Sequence, residues 1–489
     1  MDQELDKIIN HIKTMNGNST DINVRYFNIH NQKVAFIFLE SVANDDKISN
    51  FLGKSLSISV RSKKNLFENL FDSINNTIPN SKVKIIDNYD DIFYHLASGF
   101  TCVFVDGYNK AITLETKALL DRSVTEATSE PVLKGPKDCF IENILANMGL
   151  IRKRIKDPNL YFEETKVGRR TKTKVIIGYI KDIADEEKVN LLKKKLEKIN
   201  IDGIIDSNYI KELLTDNQKS FLPRVISTER PDLTAMGLLD GKIAIIVENT
   251  PYVLLLPTVF ADFFKSSEDY YTKPFNASFT RILRYIAFFI AILVPAFYIA
   301  VTTFNMEIVP SSLLISFSIQ RESVPFPTII EVLILVISYE ILREADTRKP
   351  QIMGASISIV GALILGEAAV SAGVISPIVV IVISISAVSG MGFNDPDITN
   401  AIRIWRILFM LAACMFGIVG IVTLFIIFIT KLNSIEVLGT PYLSPLSPFS
   451  LKDFKNSLTR FPQQKIKTRP SYFNKKNINR IGSDKWKNY

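Results

Sequence analysis

Three carboxylates stand in stretches that otherwise carry very little charge: Glu331, Glu340 and Glu367. A carboxylate inside a membrane is costly, faces protein or water, and often marks an ion or proton pathway. Glu331 and Glu340 are nine positions apart, so they point to nearly opposite faces of one helix and do not easily line one pore. Glu340 is predicted to pair with Arg343, one turn further on. Glu331 and Glu367 are therefore the candidate ion-pathway carboxylates.

Small residues recur every four positions just before Glu367, at Gly354, Ser358, Ala362 and Gly366. They form a stripe on one helix face, and such stripes let membrane helices approach closely. The stripe fits either tight packing within one chain or a subunit interface and narrow pore wall, which makes Gly366 an ion-pathway candidate. Glu367 has no nearby cation in sequence. It would form an acidic ring in an oligomer, which favours cations, or a buried hydrogen bond between helices.

Motifs of enzymatic chemistry are missing from the sequence. It contains no Walker loop, no GxSxG elbow and no HExxH helix. The three cysteines, Cys102, Cys139 and Cys414, are far apart, and there are only three histidines, so we expect neither a disulfide scaffold nor a metal site. The sequence predicts a protein that is not an enzyme and has no cofactor.

The apolar stretches are concentrated in the second half of the chain. The 489 residues have a mean hydropathy of +0.17 although 22% are charged, which indicates soluble parts beside very apolar parts. The apolar stretches lie at 285–306, 327–342, 350–366, 368–394 and 407–430. The first of them, 285–306, carries no charge and is long enough to cross a hydrocarbon core of about 30 Å. We predict an all-α polytopic membrane domain at 276–432, with about five spans and a short half-helix at 308–320.

The first half has the alternation and turn signals of a soluble α/β region. Strands are predicted at 33–40, 83–87 and 174–180, and helices at 62–74 and 185–199. Hairpins are predicted around Asp106-Gly107 and around 248–251. Proline and glycine cluster at 131–136, which divides the region into subdomains at 1–130 and 131–275. The first residues carry no apolar segment, so no cleaved signal peptide is expected.

The positive charge is concentrated in the C-terminal tail, 433–489. Residues 431–489 contain 12 Lys and Arg and 3 Asp and Glu, a net charge of +9, whereas the whole chain has +8. Such a tail predicts attraction to anionic membrane lipids. Nucleic acid is disfavoured because no basic-aromatic module accompanies the charge. Arginines beside the apolar stretches place the N-terminal region in the cytoplasm, but five spans would put the tail outside. Either 308–320 adds a crossing or 352–391 does not cross twice.

Several long motifs resemble the A subunits of nutrient germinant receptors of endospore-forming bacteria, over roughly residues 130–470. In the soluble part they are SEPVLKGPKDCFIENILANMGLIRKRIKDPNL (129–160), VGRRTKT (167–173), STERPD (227–232), LLDGKIAIIVENTPYVLLLP (238–257) and SSEDYY (266–271). In the apolar part they are RESVPFPTIIE (321–331), YEILREADTRKP (339–350), SIVGALILGEAAVSAGVISP (358–377) and GTPYLSP (439–445). The motif residues singled out are Glu229, Arg230, Pro231, Asp232, Arg321, Pro325 and Pro327, and the two prolines are predicted to mark a helix start.

The resemblance implies a two-part α/β domain, then a membrane domain that assembles into a homo-oligomeric, nutrient-gated cation channel. It implies a transporter-like B subunit that senses the nutrient, a lipoprotein C subunit, and the spore inner membrane with the N-terminal domain on the core side. The family often has Gln where Glu367 stands, so a charge there is not required throughout it. A non-conducting transducer and a sporulation-stage paralogue stay open; a secondary transporter is disfavoured because no inverted repeat is evident.

Overall fold

A computed structural model describes residues 1–29, 32–50, 71, 74–75, 82–118, 129–215, 220–347, 364–393, 395–474 and 477–480. Within these ranges, only the backbone is described for 346–347, 364–365 and 455. Gly354, Ser358 and Ala362 lie outside the described residues, as does most of the helix predicted at 62–74.

The first α/β domain is built on a five-stranded antiparallel sheet. Its strands are β1 (Ile22–Ile29), β2 (Gln32–Leu39), β3 (Val83–Ile86), β4 (Phe100–Val105) and β5 (Ala111–Glu115), in the order β1-β2-β4-β5-β3. Helices α1 (Leu5–Met15) and α2 (Tyr89–Ala97) cover one face. Helix α1 buries Leu5, Ile8, Ile9 and Ile12, which recur with helical spacing, against the sheet.

The second α/β domain repeats this topology. Its strands are β6 (Leu160–Val167), β7 (Thr173–Ile180), β8 (Ile226–Thr228), β9 (Ile243–Val247) and β10 (Val253–Leu256), in the order β6-β7-β9-β10-β8. Its helices are α3 (Ile144–Arg154), α4 (Glu186–Glu197), α5 (Ser207–Leu214) and α6 (Pro231–Asp240). In both domains one helix precedes the first strand and another joins the third strand to the fourth. The two domains are therefore two copies of one fold.

The predicted hairpins are confirmed. Strands β4 and β5 pair across Asp106-Gly107, where Gly107 has a φ of +88°, a left-handed conformation that favours glycine. Strands β9 and β10 pair across 248–251. The alternation that predicted strands at 33–40 and 174–180 is also confirmed, by β2 and β7.

The C-terminal half is helical. Its helices are α7 (Pro274–Thr303), α8 (Ser311–Arg321), α9 (Thr328–Thr347), α10 (Pro377–Gly390) and α11 (Pro396–Ser434), with a π-helical turn at Ile364–Ala368 before α10. Among the described residues, α7 and α11 are long and apolar enough to cross a membrane, judged by length and composition.

Helix α11 folds back on itself, which corrects the single span predicted at 407–430. Gly417 has φ +57° and ψ −139°, outside the helical region. The rings of Trp405 and Phe428 lie 4.7 Å apart across the two arms, whereas 23 residues of straight helix would separate them by about 34 Å. A Cβ at Gly417 would lie 2.8 Å from the side chain of Asn305, so only glycine fits this turn.

The C-terminal tail returns to the second α/β domain. It contains the small hairpin β11 (Glu436–Val437) and β12 (Thr440–Pro441) and helix α12 (Leu451–Leu458). Tyr442 is fully buried and its hydroxyl donates to the carbonyl of Pro223, and Arg480 pairs with Asp240 at 2.6 Å. The tail therefore lies at the same end of the helical domain as the second α/β domain, which the count of five spans had left open.

Candidate functional site

Glu331 lies in the interior of the helical domain. It is on the first turn of α9 and none of its surface is exposed. One carboxylate oxygen accepts a hydrogen bond from the backbone N–H of Ser376, the residue that caps the N-terminus of α10. A negative charge is favourable at a helix N-terminus. Glu331 thus joins α9 to α10 inside one chain, away from the domain's outer surface.

Glu340 is held by three arginines. Arg343 lies 3.6 Å from one carboxylate oxygen, as predicted, and Arg403 lies 2.7 Å from the same oxygen. Arg406, which is almost fully buried, donates to the other oxygen. Two of these arginines come from α11, more than 60 positions away in sequence, so Glu340 joins α9 to the first arm of α11.

Gly366 and Glu367 lie on the outer surface. Both belong to the π-helical turn and both are exposed. A Cβ added at Gly366 would meet no described atom within 4 Å. The turn contacts α10 on one side, while the exposed Glu367 and the open space beside Gly366 are available to a neighbour. The ion-pathway role of Gly366 and Glu367 stays a prediction.

The motif Glu229-Arg230-Pro231-Asp232 anchors the segment that enters the second domain. The Glu229 carboxylate accepts from the backbone N–H and hydroxyl of Ser129, at 2.6 and 2.7 Å. Arg230 donates to the carbonyl of Pro136 at 2.9 Å and pairs with Asp232 at 2.8 Å. All four motif residues are buried. The geometry supports an architectural role for this motif, with Pro231 in the first turn of α6.

The second motif surrounds the start of α9. Pro327 directly precedes the helix, and its carbonyl accepts from the backbone N–H groups of Ile330 and Glu331, which confirms that the prolines mark a helix start. Arg321 ends α8, and its Nε is buried without a hydrogen-bond partner in the described ranges.

A buried ion-pair network joins the second α/β domain, the base of α7 and the tail. Arg281 donates through Nε and Nη2 to Asp269, at 3.0 and 2.8 Å, and through Nη1 to the carbonyl of Asn456 at 2.9 Å. Neither charged side chain of this pair is more than 2% exposed. Arg284 contacts the second oxygen of Asp269 at 3.0 Å. One carboxylate therefore fixes three parts of the chain.

A second group of ion pairs lies at the same junction. Lys242 and Lys265 approach Asp262 at 2.7 and 2.8 Å. Burial by itself would raise the pKa of Asp262, but the two ammonium groups outweigh burial and hold that pKa below its ordinary value. Lys211 on α5 pairs with Asp397 in the first turn of α11. The second domain is thus connected to both long apolar helices.

Between the second α/β domain and the helical domain lies a cavity of about 230 Å³. Its lining includes Glu130 and Asp395, and Asp395 caps the N-terminus of α11. Burial, with the nearby charges of Asp395 and Glu229, raises the pKa of Glu130 to about 7. Burial and the neighbouring Asp397 raise the pKa of Asp395 to about 6. The cavity therefore holds two carboxyls that take up protons near neutral pH.

Because the pKa of Glu130 is higher in the folded than in the unfolded chain, folding binds a proton between about pH 4.5 and pH 7. The stability of the junction should therefore increase as the pH falls through this range. Replacing Glu130 with Gln removes the cost of ionising the buried acid while keeping an oxygen acceptor for the hydroxyl of Thr228. We expect Glu130→Gln to stabilise the chain by about 2–3 kcal/mol at about pH 8, with little gain at about pH 5.

Thermal unfolding of the full chain across these pH values measures the effect. Glu142→Gln is the matched control, because Glu142 is an exposed carboxyl of the same domain. An equal pH dependence for Glu130→Gln and the parent chain would contradict the assignment of this titration to Glu130.

Sequence reasoning singled out the motifs around the junction but not the charges that pair across it. Asp269 stands inside the quoted motif SSEDYY, while Arg281 is one of the arginines beside the apolar stretches, which indicated orientation only. Within the described ranges, no three His, Cys, Asp or Glu side chains come together as a metal site of those residues would need.

Residues 10–472 match the family described as Bacillus/Clostridium GerA spore germination protein. The chain is 37% identical over 473 residues to spore germination protein KA of Bacillus subtilis (strain 168), covering 96% of this chain and 86% of that protein. It is 32% identical over 479 residues to spore germination protein GerLA of Bacillus cereus, covering 97% of each. It is also 34% identical over 459 residues to the uncharacterised membrane protein YfkQ of Bacillus subtilis (strain 168), covering 94% of this chain and 89% of that protein.

Among solved structures, the chain is similar to the N-terminal domain of the A subunit of the Bacillus megaterium spore germinant receptor GerK3. The sequence identity is 29% and the TM-score is 0.40, with 53% of this chain and 97% of that chain covered.

Proposed function

This chain belongs to the GerA family of spore germination proteins, and from that premise we propose that it is the A subunit of a nutrient germinant receptor in the spore inner membrane. Its helical domain crosses the membrane and oligomerises into a nutrient-gated cation channel that triggers germination.

The outward-facing apolar surface of α11 is the observation that carries the membrane part of this proposal. In its most apolar window only 22% of the residues are buried, whereas the core helix of a soluble protein would be mostly buried. Met415, Phe416 and Val419 are each more than 60% exposed at the turn of the helical hairpin. Large exposed apolar surfaces belong against lipid or another protein.

Arginines near the junction support the orientation. Arg281 and Arg284 are at the base of α7, and Arg403 and Arg406 are near the base of α11. Positive charge at one end of membrane helices favours the cytoplasmic side, which here is the spore core. The soluble domains and the tail then lie in the core together. Lys452, Lys465 and Lys467 remain exposed on the tail and are available to anionic headgroups.

The exposed turn with Gly366 and Glu367 supports assembly around a shared axis. Repeated around a ring of identical subunits, Glu367 gives a girdle of carboxylates, which attracts cations. A transporter-like B subunit would sense the nutrient, and a lipoprotein C subunit would complete the receptor; no nucleic acid takes part. The ion pairs of the junction, such as Lys211 with Asp397, would transmit the signal to the helices.

Monovalent-cation flux in liposomes that hold the chain with its B and C partners tests this proposal. We expect flux only when the appropriate nutrient is present. Glu367→Gln should lower cation conduction severalfold, while Glu307→Gln, an exposed carboxylate of the same domain, should leave flux unchanged.

A second candidate function, a non-conducting transducer, is favoured by the charge pairs that connect the soluble domain to α7 and α11. No flux from intact oligomers would overturn the channel and favour this transducer. Cation flux that is the same with and without every nutrient tested would favour a paralogue without its own nutrient.

A further inference from the structure

Four buried oxygen-bearing side chains cluster where α7, α9 and α10 meet. Glu331 and Ser376 have no exposed surface, Thr328 is 1% exposed and Tyr298 is 7% exposed. Glu331 contacts the backbone of Ser376 through one oxygen, and Tyr298 lies beside both Glu331 and Ser376. Thr328 is three positions before Glu331, on the same face of α9.

Glu331 and Thr328 each have an oxygen without a hydrogen-bond partner in the described part of the chain, and the hydroxyls of Tyr298 and Ser376 have at most each other. These atoms are the second carboxylate oxygen of Glu331 and the hydroxyl oxygens of Thr328, Ser376 and Tyr298. Leaving one buried polar atom unsatisfied costs about 1–3 kcal/mol, and native structures contain only a few. Four such oxygens in one place, with at most one hydrogen bond among them, indicate a ligand that supplies what the chain does not.

The chemistry of the cluster selects the ligand. An ionised carboxylate is only an acceptor, and hydroxyls can turn their lone pairs toward a positive centre. Calcium takes about six to eight oxygen ligands and magnesium usually keeps several waters in an octahedral shell, which one carboxyl and three hydroxyls in a buried position do not provide. One carboxyl gives this cluster at most one negative charge, which matches a single positive charge. Arg321 is near Tyr298, but it forms no ion pair with Glu331 within the described ranges, so it does not neutralise this carboxylate directly.

We propose that Glu331, Thr328, Ser376 and Tyr298 bind one monovalent alkali cation inside each subunit, where the cation holds α7, α9 and α10 together. The inference rests on the proposed function in one respect: the bound ion is of the class that the channel conducts. The site is within one chain, and it is separate from the exposed turn that carries Glu367.

The test uses the full-length chain purified in detergent without its partners. Binding is measured with radioactive sodium and with radioactive rubidium as a potassium analogue. Thermal unfolding is compared in sodium, potassium and N-methylglucamine chloride at equal ionic strength. We expect saturable binding of one ion per chain and a melting temperature about 3 °C higher with the alkali cation that binds.

The variants separate ion binding from folding. Glu331→Gln should lose both the binding and the alkali-dependent stabilisation. Tyr298→Phe keeps the packed ring and removes only one ligand, so it should bind about tenfold more weakly while remaining folded. Glu307→Gln should bind as the parent chain does. If Glu331→Gln does not fold, ion binding by Tyr298→Phe and Ser376→Ala tests the site in its place.

Equal melting temperatures in alkali and N-methylglucamine chloride, together with no saturable binding, would overturn the cation site and favour a neutral Glu331 with buried water. Binding unchanged in folded Tyr298→Phe and Ser376→Ala would overturn it as well. Nutrient-gated flux without this binding would reject the site alone, whereas binding without any flux would keep the site and reject the channel.

Discussion

Replacing Arg281 with Met is expected to lower the stability of the full-length chain by about 3–5 kcal/mol, because removing one partner of a buried ion pair leaves the other charge unmatched. Asp269 would keep only Arg284 as a charged partner, and the carbonyls of Asn456 and Thr459 would lose the donor that ties the tail to α7. We therefore expect the tail beyond Ser450 to become the first site of protease cleavage in the folded variant.

Thermal unfolding and timed trypsin digestion of the purified chain measure both effects. Arg284→Met is the matched control, since Arg284 contacts the same carboxylate but its side chain is 21% exposed. We expect a smaller loss for Arg284→Met and a protected tail. Equal losses for the two variants, with the tail still protected in Arg281→Met, would show that Arg281 does not hold the junction together.

The soluble fold was largely predictable because its signals are local. A β-hairpin needs two alternating strands and a turn, and all of these fall within about 15 residues, as in β9 and β10. The identical strand order of the two domains was not predictable in this way. It depends on which distant strands pair, such as β8 with β10, and no local pattern encodes that choice.

The helical domain shows where apolar patterning stops being informative. The stretch 407–430 is uniformly apolar, so hydropathy alone indicated one span. The chain reverses at Gly417 because glycine alone accepts that backbone conformation and the close approach of Asn305, whose side chain accepts from the backbone N–H of Ile418 at 3.3 Å. A glycine in an apolar run was visible, but its partner 112 positions earlier was not.

In the candidate site, too, local contacts were predictable from the sequence and long-range contacts were not. The pairing of Glu340 with Arg343 was predictable because the two residues are one helical turn apart. Its stronger partners, Arg403 and Arg406, come from another helix. Glu331 stood out in the sequence as a carboxyl in an apolar segment, but its complete burial depends on the packing of three helices. Sequence identifies unusual residues, while tertiary packing determines their partners.

The contact between the two α/β domains gives the second large prediction. Arg152 on α3 donates to both oxygens of Asp21, at 2.5 and 2.7 Å, and to the hydroxyl of Ser19 at 3.0 Å. Both charged side chains are at most 1% exposed. Arg152 also lies over the ring of Phe162, 4.9 Å from its centre. This pair therefore joins the two copies of the fold through groups that are fully removed from water.

Arg152→Met should cost about 3–5 kcal/mol, because Asp21 would remain as an uncompensated buried charge. The double variant Asp21→Asn, Arg152→Met removes both charges, so it should recover about half of that loss or more. Denaturant unfolding of the parent chain, of each single variant and of the double variant gives the coupling free energy between the two positions. Additive losses would mean that the two charges do not depend on each other, and the domain contact would then rest on its backbone hydrogen bonds.

The pH dependence of the same contact has a definite sign. Burial by itself would raise the pKa of Asp21, but the charge of Arg152 and the hydrogen bonds from Arg152, Ser41 and Ser19 outweigh it, so the pKa is lowered. The stabilisation is therefore complete above about pH 4 and is lost as the pH falls toward the lowered pKa. The double variant should lose this acid sensitivity, whereas Glu130→Gln, which alters a titration near neutral pH, should keep it.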